Sequence, residues 1–118
     1  MSIVAYTMKD TGRGATLVSW EGLKQGDTGA PFSLPHQNDR SVHVKGTFGV
    51  GGTCIIEGSN ELVPATYATL NDPQGNILSI TAEKIEVVLE NVLGVRPRIS
   101  AGDGTTVVDV YLLLVGGR

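Results

Sequence analysis

The chain has 118 residues, enough for one domain with a single core, and its net charge of −3 argues against a protein that grips nucleic-acid backbones. Its single cysteine, Cys54, excludes a disulfide within the chain and is expected to be a small buried hydrophobe. No stretch approaches the roughly 18 apolar residues that cross a bilayer, and residues 1–10 lack a secretory signal pattern, so we expect a chain made in a cytoplasm with no membrane or direct nucleic-acid partner.

Glycine is concentrated in short clusters between runs of alternating apolar and polar residues. The chain has 16 glycines, and clusters such as Gly49–Gly52 and Ala101–Gly104 suit turns because glycine, asparagine and aspartate tolerate positive φ. This distribution is typical of a compact all-β domain.

The N-terminal segment, residues 1–14, carries no strong strand pattern and ends in Gly12-Arg13-Gly14. We interpret it as an N-terminal arm that becomes ordered on a partner. The alternative is a short edge strand, Ile3–Tyr6, added to the main domain of residues 15–118.

The strands of the first half follow from alternation. Thr16–Leu23 places Val18 and Trp20 on one face, and Phe32 and Leu34 suit a short edge strand between two prolines. Arg40–Phe48 alternates most clearly, and a glycine-rich connection to Thr53–Gly58 favours an antiparallel hairpin.

The second half continues the pattern. Tyr67–Leu70 and Ile77–Ile80 flank a proline- and glycine-containing reversal that predicts a second hairpin. Residues 81–92 fit a strand or a helix, and their β-branched residues favour a strand. In Val95–Ser100, Pro97 indicates an edge or a bulge. The apolar Thr106–Leu114 is expected to be the longest strand, and to be central or covered on both faces.

About eight strands at roughly ten-residue spacing predict one antiparallel β-sandwich domain. The sequence fits a jelly-roll-like sandwich, with an immunoglobulin-like sandwich as the alternative.

Four residues are candidates for a partner interface. Arg96 and Arg98 share the outward face of one strand and suit bidentate binding of a partner's carboxylates, or else pairing with Glu57, Glu86 or Asp109 of neighbouring strands. His43 lies on the polar face of its strand, where it could meet a carboxylate or a partner. Tyr67 is a single candidate platform for stacking on a sugar.

No motif with catalytic spacing occurs. Gly49–Gly52 lacks the Gly-Lys-Ser/Thr ending of a phosphate-binding loop and the helix that a dinucleotide site needs. His36 lies in a polar loop, and His36 and His43 with carboxylates do not make a recognisable metal site. We therefore expect a protein that is not an enzyme and that has no cofactor and no metal.

Several blocks together carry a resemblance to a known class of proteins. The blocks are Trp20–Leu23, Gly26–Gly29, Asp39–Val42, Gly46–Gly49, Ile56–Asn60, Ala68–Asn76 and Arg96–Arg98. They resemble small tailed-bacteriophage structural proteins of the head-decoration, or cement, type. Where such proteins often have an Asp-Gly and a tryptophan after the Glu-Gly-Ser-Asn turn, this chain reads Glu61–Tyr67.

The resemblance implies a sandwich that binds the outside of an assembled capsid and bridges capsid subunits against the pressure of packaged DNA. Its partner would be the major capsid protein, its place the exterior of the virion, and its own state a dimer or trimer on a symmetry axis. The alternatives are a tail or neck structural protein and a carbohydrate-binding adhesion module.

Overall fold

The computed structural model describes residues 2–12, 14–33 and 39–116, and within these ranges all regular structure is β. Their 12 strands are β1 (Ile3–Val4), β2 (Thr7–Asp10), β3 (Ala15–Lys24), β4 (Thr28–Gly29), β5 (Phe32–Ser33), β6 (Asp39–Thr47), β7 (Thr53–Ser59), β8 (Ala68–Thr69), β9 (Ser79–Ile80), β10 (Lys84–Val87), β11 (Gly94–Ala101) and β12 (Val107–Val115).

The strands form two sheets that enclose one core. The first sheet has the order β1-β4-β11-β7-β8, with β5 also paired to β11 and β9 to β7. The second has the order β10-β6-β12-β3-β2. All pairings are antiparallel except that of β1 with β4. The predicted all-β antiparallel sandwich is confirmed.

The core is built from the alternate residues that each strand turns inward. Val18 and Trp20 of β3 are buried as predicted, and the Trp20 Nε1–H donates to the Ala30 carbonyl oxygen at 2.9 Å. Cys54 is fully buried, and burial raises the pKa of its thiol to about 12, so this residue is an inert part of the core.

Two strand predictions in the second half are also confirmed. β12 is central in its sheet, between β6 and β3. The prediction that it is the longest strand is wrong, because β3 exceeds it in length by one residue. Within residues 81–92 the chain forms the strand β10 and continues without helix to Val92.

The predicted hairpin across Gly49–Gly52 is wrong, because β6 and β7 belong to different sheets. The connection is nevertheless tight: a Cβ on Gly52 would lie 1.8 Å from the Phe48 carbonyl oxygen. Alternation and turn residues are the same for a hairpin and for a crossing between layers, so the sequence pattern does not separate the two.

The predicted hairpin of Tyr67–Leu70 with Ile77–Ile80 forms only beside its turn, where the Leu78 N–H donates to the Leu70 carbonyl oxygen at 2.8 Å. β8 and β9 both run antiparallel to β7 and follow each other along its edge. The chain leaves the edge of β7 after Leu70 and returns to it at Leu78. Within the loop between them, the Asp72 carboxylate accepts the Gln74 and Asn76 N–H groups, both at 2.9 Å. The Asp72 N–H donates to the Asn76 carbonyl oxygen at 2.8 Å, and Asn71 and Ile77 form an antiparallel bridge, so pairing of the flanks is confined to the residues next to the turn.

Pro97 does not mark an edge, because β11 lies between β7 on one side and β4 and β5 on the other. The Ile99 N–H donates to the Asp27 carbonyl oxygen at 2.9 Å, so Pro97, two residues earlier, faces the same side. On that side β5 pairs with residues up to Val95 and β4 pairs with Arg98. The missing N–H of Pro97 therefore falls in the gap between two short strands.

The N-terminal segment contributes one short strand to each sheet. β1 pairs with β4 and β2 with β3. The Asp27 carboxylate holds the start of this segment by accepting the Ser2 N–H at 3.0 Å. Leu34 of the predicted edge strand and His36 lie outside the described residues.

Candidate interaction surfaces

Three of the four candidate residues meet on the outer face of the first sheet. Arg96 and Arg98 alternate with buried residues of β11, and the register places Arg96 directly opposite Glu57 of β7. Tyr67 immediately precedes β8, the next strand along that face. We call Glu57, Tyr67, Arg96 and Arg98 the arginine–glutamate cluster.

Glu57 holds both arginines. The Arg96 Nε–H donates to Glu57 Oε2 at 2.6 Å, and the Arg98 Nε–H donates to Oε1 at 3.1 Å. The Glu57 side chain is only 5% exposed, whereas those of Arg96 and Arg98 are 24% and 38% exposed. Of the two roles predicted for the arginines, the structure shows the pairing with Glu57, which a partner's carboxylate would have to displace.

Tyr67 is covered on one face by the same cluster. The guanidinium carbon of Arg96 lies 3.6 Å from the centre of the Tyr67 ring, a stacked cation–π contact. A sugar that stacked on Tyr67 would therefore use the opposite face of the ring.

His43 lies apart from the other three, on the outer face of the second sheet. It faces outward between the buried Val42 and Val44 of β6. Its Nε2 lies 3.5 Å from Glu83 Oε2, and its ring centre lies 6.0 Å from that of Tyr111. The prediction that His43 could meet a carboxylate is confirmed within the chain.

The outer face of the second sheet also carries apolar side chains that sequence reasoning missed as a surface. A groove of about 380 Å³ runs beside His43 and is lined by Leu17, Ile85, Tyr111 and Leu113. The alternation of apolar and polar residues in β10 is the sequence feature that could have predicted this apolar surface.

Arg40 is one of the residues that line a neighbouring groove of about 400 Å³. Its side chain is buried, and its Nη2–H donates to the Glu90 carbonyl oxygen and to Asn91 Oδ1. Burial lowers the pKa of the Arg40 guanidinium, and the negative charge of Glu90 opposes that change. Arg40 thus ties the segment after β10 to β6.

The Glu61 carboxylate shapes the loop that follows β7. Glu61 Oε1 accepts the N–H groups of Ala65 and Thr66 at 2.8 and 2.7 Å, and the Thr66 hydroxyl at 3.0 Å. These bonds, the Thr66 N–H first, lower the pKa of Glu61. The loop they close, residues 61–66, displays Leu62 at 90% and Val63 at 86% exposure.

The turn between β6 and β7, residues 49–52, is built in the same way. Asp103 Oδ2 accepts the Val50 N–H at 2.9 Å, while Oδ1 accepts the Thr105 N–H and hydroxyl. Hydrogen bonds from Thr105 and Val50 lower the pKa of Asp103 to about 2. The turn presents Val50 at 82% exposure.

Within the described ranges, no group of three or more histidine, cysteine, aspartate or glutamate side chains is placed to hold a metal ion. No helix long and apolar enough to cross a membrane is found in the same part of the chain.

The chain matches no protein-family model, and no curated protein matches it. Among solved structures, it is similar to the crystal structure of SPBc2 prophage-derived protein YomS, with a TM-score of 0.63 over 92% of this chain and 100% of that chain. The two sequences are 12% identical. The likeness is one of fold, and it extends over the whole of the other domain.

Proposed function

We propose that this chain is a non-enzymatic structural protein of a phage virion, which binds the outer capsid surface and stabilises the DNA-filled head by bridging capsid subunits. Its partner in this role is the major capsid protein. The observation that carries the phage assignment is the fold shared with a prophage-derived protein over that protein's full length. The sequence blocks that resemble head-decoration proteins support the assignment to the head.

Bridging requires two separate contact areas, and two exposed apolar sites supply them. We call these the two apolar tips: the turn of residues 49–52 with Val50, and the loop of residues 61–66 with Leu62 and Val63. Val50 lies before the N-terminal end of β7, whereas Leu62 and Val63 lie after its C-terminal end. Asp103 of the β11–β12 connection holds the first tip, and Leu62 lies beside Gly94 at the start of β11. The tips therefore lie at opposite ends of the β7–β11 pair, where one copy can touch two neighbouring subunits.

Both tips are held in shape before any partner binds. The Asp103 and Glu61 carboxylates accept hydrogen bonds from backbone N–H groups and so fix the backbone that carries the exposed side chains. A preformed apolar tip loses little conformational freedom on docking, so even a small contact contributes to affinity. Weak contacts repeated over a symmetric shell then bind collectively.

Cosedimentation with purified virion parts tests the proposal. The chain should bind saturably to DNA-filled heads without tails, prepared from the phage that encodes it. Binding to isolated tails instead would favour the tail or neck role, and binding to neither would contradict a virion role. Saturable glycan binding that Tyr67→Ala weakens would favour the carbohydrate-binding role.

A further inference from the structure

Among the residues that the structure describes, the second sheet has two edge strands with no partner on their outer side, β10 and β2, and β10 is the one with two exposed apolar side chains on one face. The Val88 N–H donates to the Arg40 carbonyl oxygen at 3.0 Å, which sets the phase of the ladder between β10 and β6. Hydrogen-bonded pairs alternate along an antiparallel ladder, so Lys84 and Glu86 direct their backbone groups towards β6. Ile85 and Val87 consequently direct theirs towards the open edge.

The side chains of the same two residues are exposed. Ile85 is 63% and Val87 50% exposed on the outer face of the sheet. An edge with free backbone groups and apolar side chains is a template for pairing with another strand. The opposite edge strand, β2, is less suited because it reads Thr-Met-Lys-Asp and presents Lys9 and Asp10.

The charges of β10 identify a second copy of this chain as the strand that fits. Lys84 and Glu86 flank Ile85, and within one chain Lys84 Nζ lies 3.2 Å from Glu86 Oε2. If two copies pair antiparallel about Ile85, Lys84 of each copy lies directly opposite Glu86 of the other. The ladder then has two opposite-charge cross-strand pairs, one on each side of an Ile85–Ile85 contact.

Neighbouring registers fit less well. A two-fold axis at Glu86 would place the two Glu86 carboxylates opposite each other, which is unfavourable. An axis at Val87 would require the Leu89 N–H for pairing, but that group already donates to the Asn71 carbonyl oxygen at 2.8 Å.

We propose that this chain forms a two-fold homodimer in which β10 strands pair antiparallel about Ile85 and join the two second sheets into one. An isologous pairing of this kind closes after two copies and leaves no open β10 edge. The dimer does not depend on the virion role, and it leaves the tips at Val50 and at Leu62 and Val63 free to contact other proteins.

Sedimentation velocity of the purified chain, from about 1 μM to about 1 mM, tests the dimer. We expect a monomer–dimer equilibrium in which Lys84→Glu weakens the dimer about tenfold, because like charges then face each other twice. Ile85→Lys should weaken it at least as much. Lys9→Glu makes the same charge change on the β2 edge and should leave the equilibrium unchanged.

Charge exchange tests the register. Lys84→Glu and Glu86→Lys should each dimerise poorly alone, whereas an equimolar mixture should form heterodimers. The double variant Lys84→Glu/Glu86→Lys should recover the homodimer. An axis at Glu86 would instead leave the Lys84→Glu dimer as strong as that of the wild type, because Lys84 would then lie opposite Val88. Circular dichroism and thermal melts would confirm that each exposed-site variant is folded.

A wild-type chain that stays monomeric over the whole concentration range would overturn the proposal. A trimer, a dimer that Lys84→Glu does not weaken, or a double variant that stays monomeric would overturn it as well.

Discussion

Glu57 and Glu61 lie four residues apart and each organises its surroundings, yet they do so in opposite ways. The Glu57 side chain is 5% exposed and accepts hydrogen bonds from two arginines on the face of a sheet. Glu61 lies at an exposed position and accepts backbone N–H groups that close a loop. The first glutamate engages two arginine side chains within the chain, whereas the second shapes a loop that exposes apolar side chains.

Burial decides whether each carboxylate contributes to stability or to local loop shape. A buried carboxylate with two cations is a matter of stability, since removing it leaves both cations uncompensated. An exposed carboxylate that caps N–H groups is a matter of local shape. Stability and binding should therefore respond to separate substitutions.

Replacing the buried carboxylate should have the largest effect on stability. Glu57→Ala leaves Arg96 and Arg98 without their shared acceptor, so we expect the free energy of unfolding to fall by about 2 kcal/mol in urea denaturation. Glu83→Ala removes an exposed glutamate and is the matched control, with an expected loss below about 0.5 kcal/mol. Equal losses for the two variants would contradict the distinction between buried and exposed carboxylates.

Changing the loop tip should affect binding and leave stability intact. Leu62→Asp and Val63→Asp should each weaken binding to DNA-filled heads about tenfold, because a charge replaces an apolar contact. Ile77→Asp alters another exposed apolar residue and should bind as the wild type does. If Ile77→Asp were as damaging as Leu62→Asp, the 61–66 loop would have no special role.

Removing one arginine should cost less than removing the shared glutamate. Arg98 is the more exposed of the pair, and Arg98→Ala leaves Glu57 bonded to Arg96, so we expect a loss below about 1 kcal/mol. Thermal melts at low and high salt would measure it. A loss as large as that of Glu57→Ala would show that the arginines do not share the carboxylate as the geometry indicates.

The smallest effect is local and depends on pH. The pKa of Glu61 is lower in the folded chain than in the unfolded chain, so its contribution is complete above about pH 4.3 and disappears as pH falls through the lowered pKa. The amide proton resonances of Ala65 and Thr66 should titrate in that acidic range. Glu61→Gln should remove the titration, and a titration that persists would assign it to another group.

The sequence predicted the fold class because alternation reports which residues face the core, as at Val18 and Trp20. It did not predict which strands are neighbours. The hairpin predicted across Gly49–Gly52 was wrong, and the one across residues 71–77 forms only beside its turn, because turn residues do not determine which strands the flanking segments pair with. Sheet partners are fixed by packing between layers, which no local pattern contains.

The candidate site was predicted in part for a similar reason. Arg96 and Arg98 were identified, and Glu57 was named among their alternatives, because period-two spacing and neighbouring strands limit the choices. Leu62 and Val63 were missed, since their exposure depends on the loop that Glu61 closes. The departure at Glu61–Tyr67 from the pattern of similar proteins was the available signal.

Electron cryomicroscopy of DNA-filled heads saturated with the purified chain tests whether it bridges capsid subunits. We predict ordered density on the outer shell, with the turn at Val50 on one capsid subunit and the loop at Leu62 on its neighbour. Heads without this density, or density confined to the tail or neck, would contradict the account.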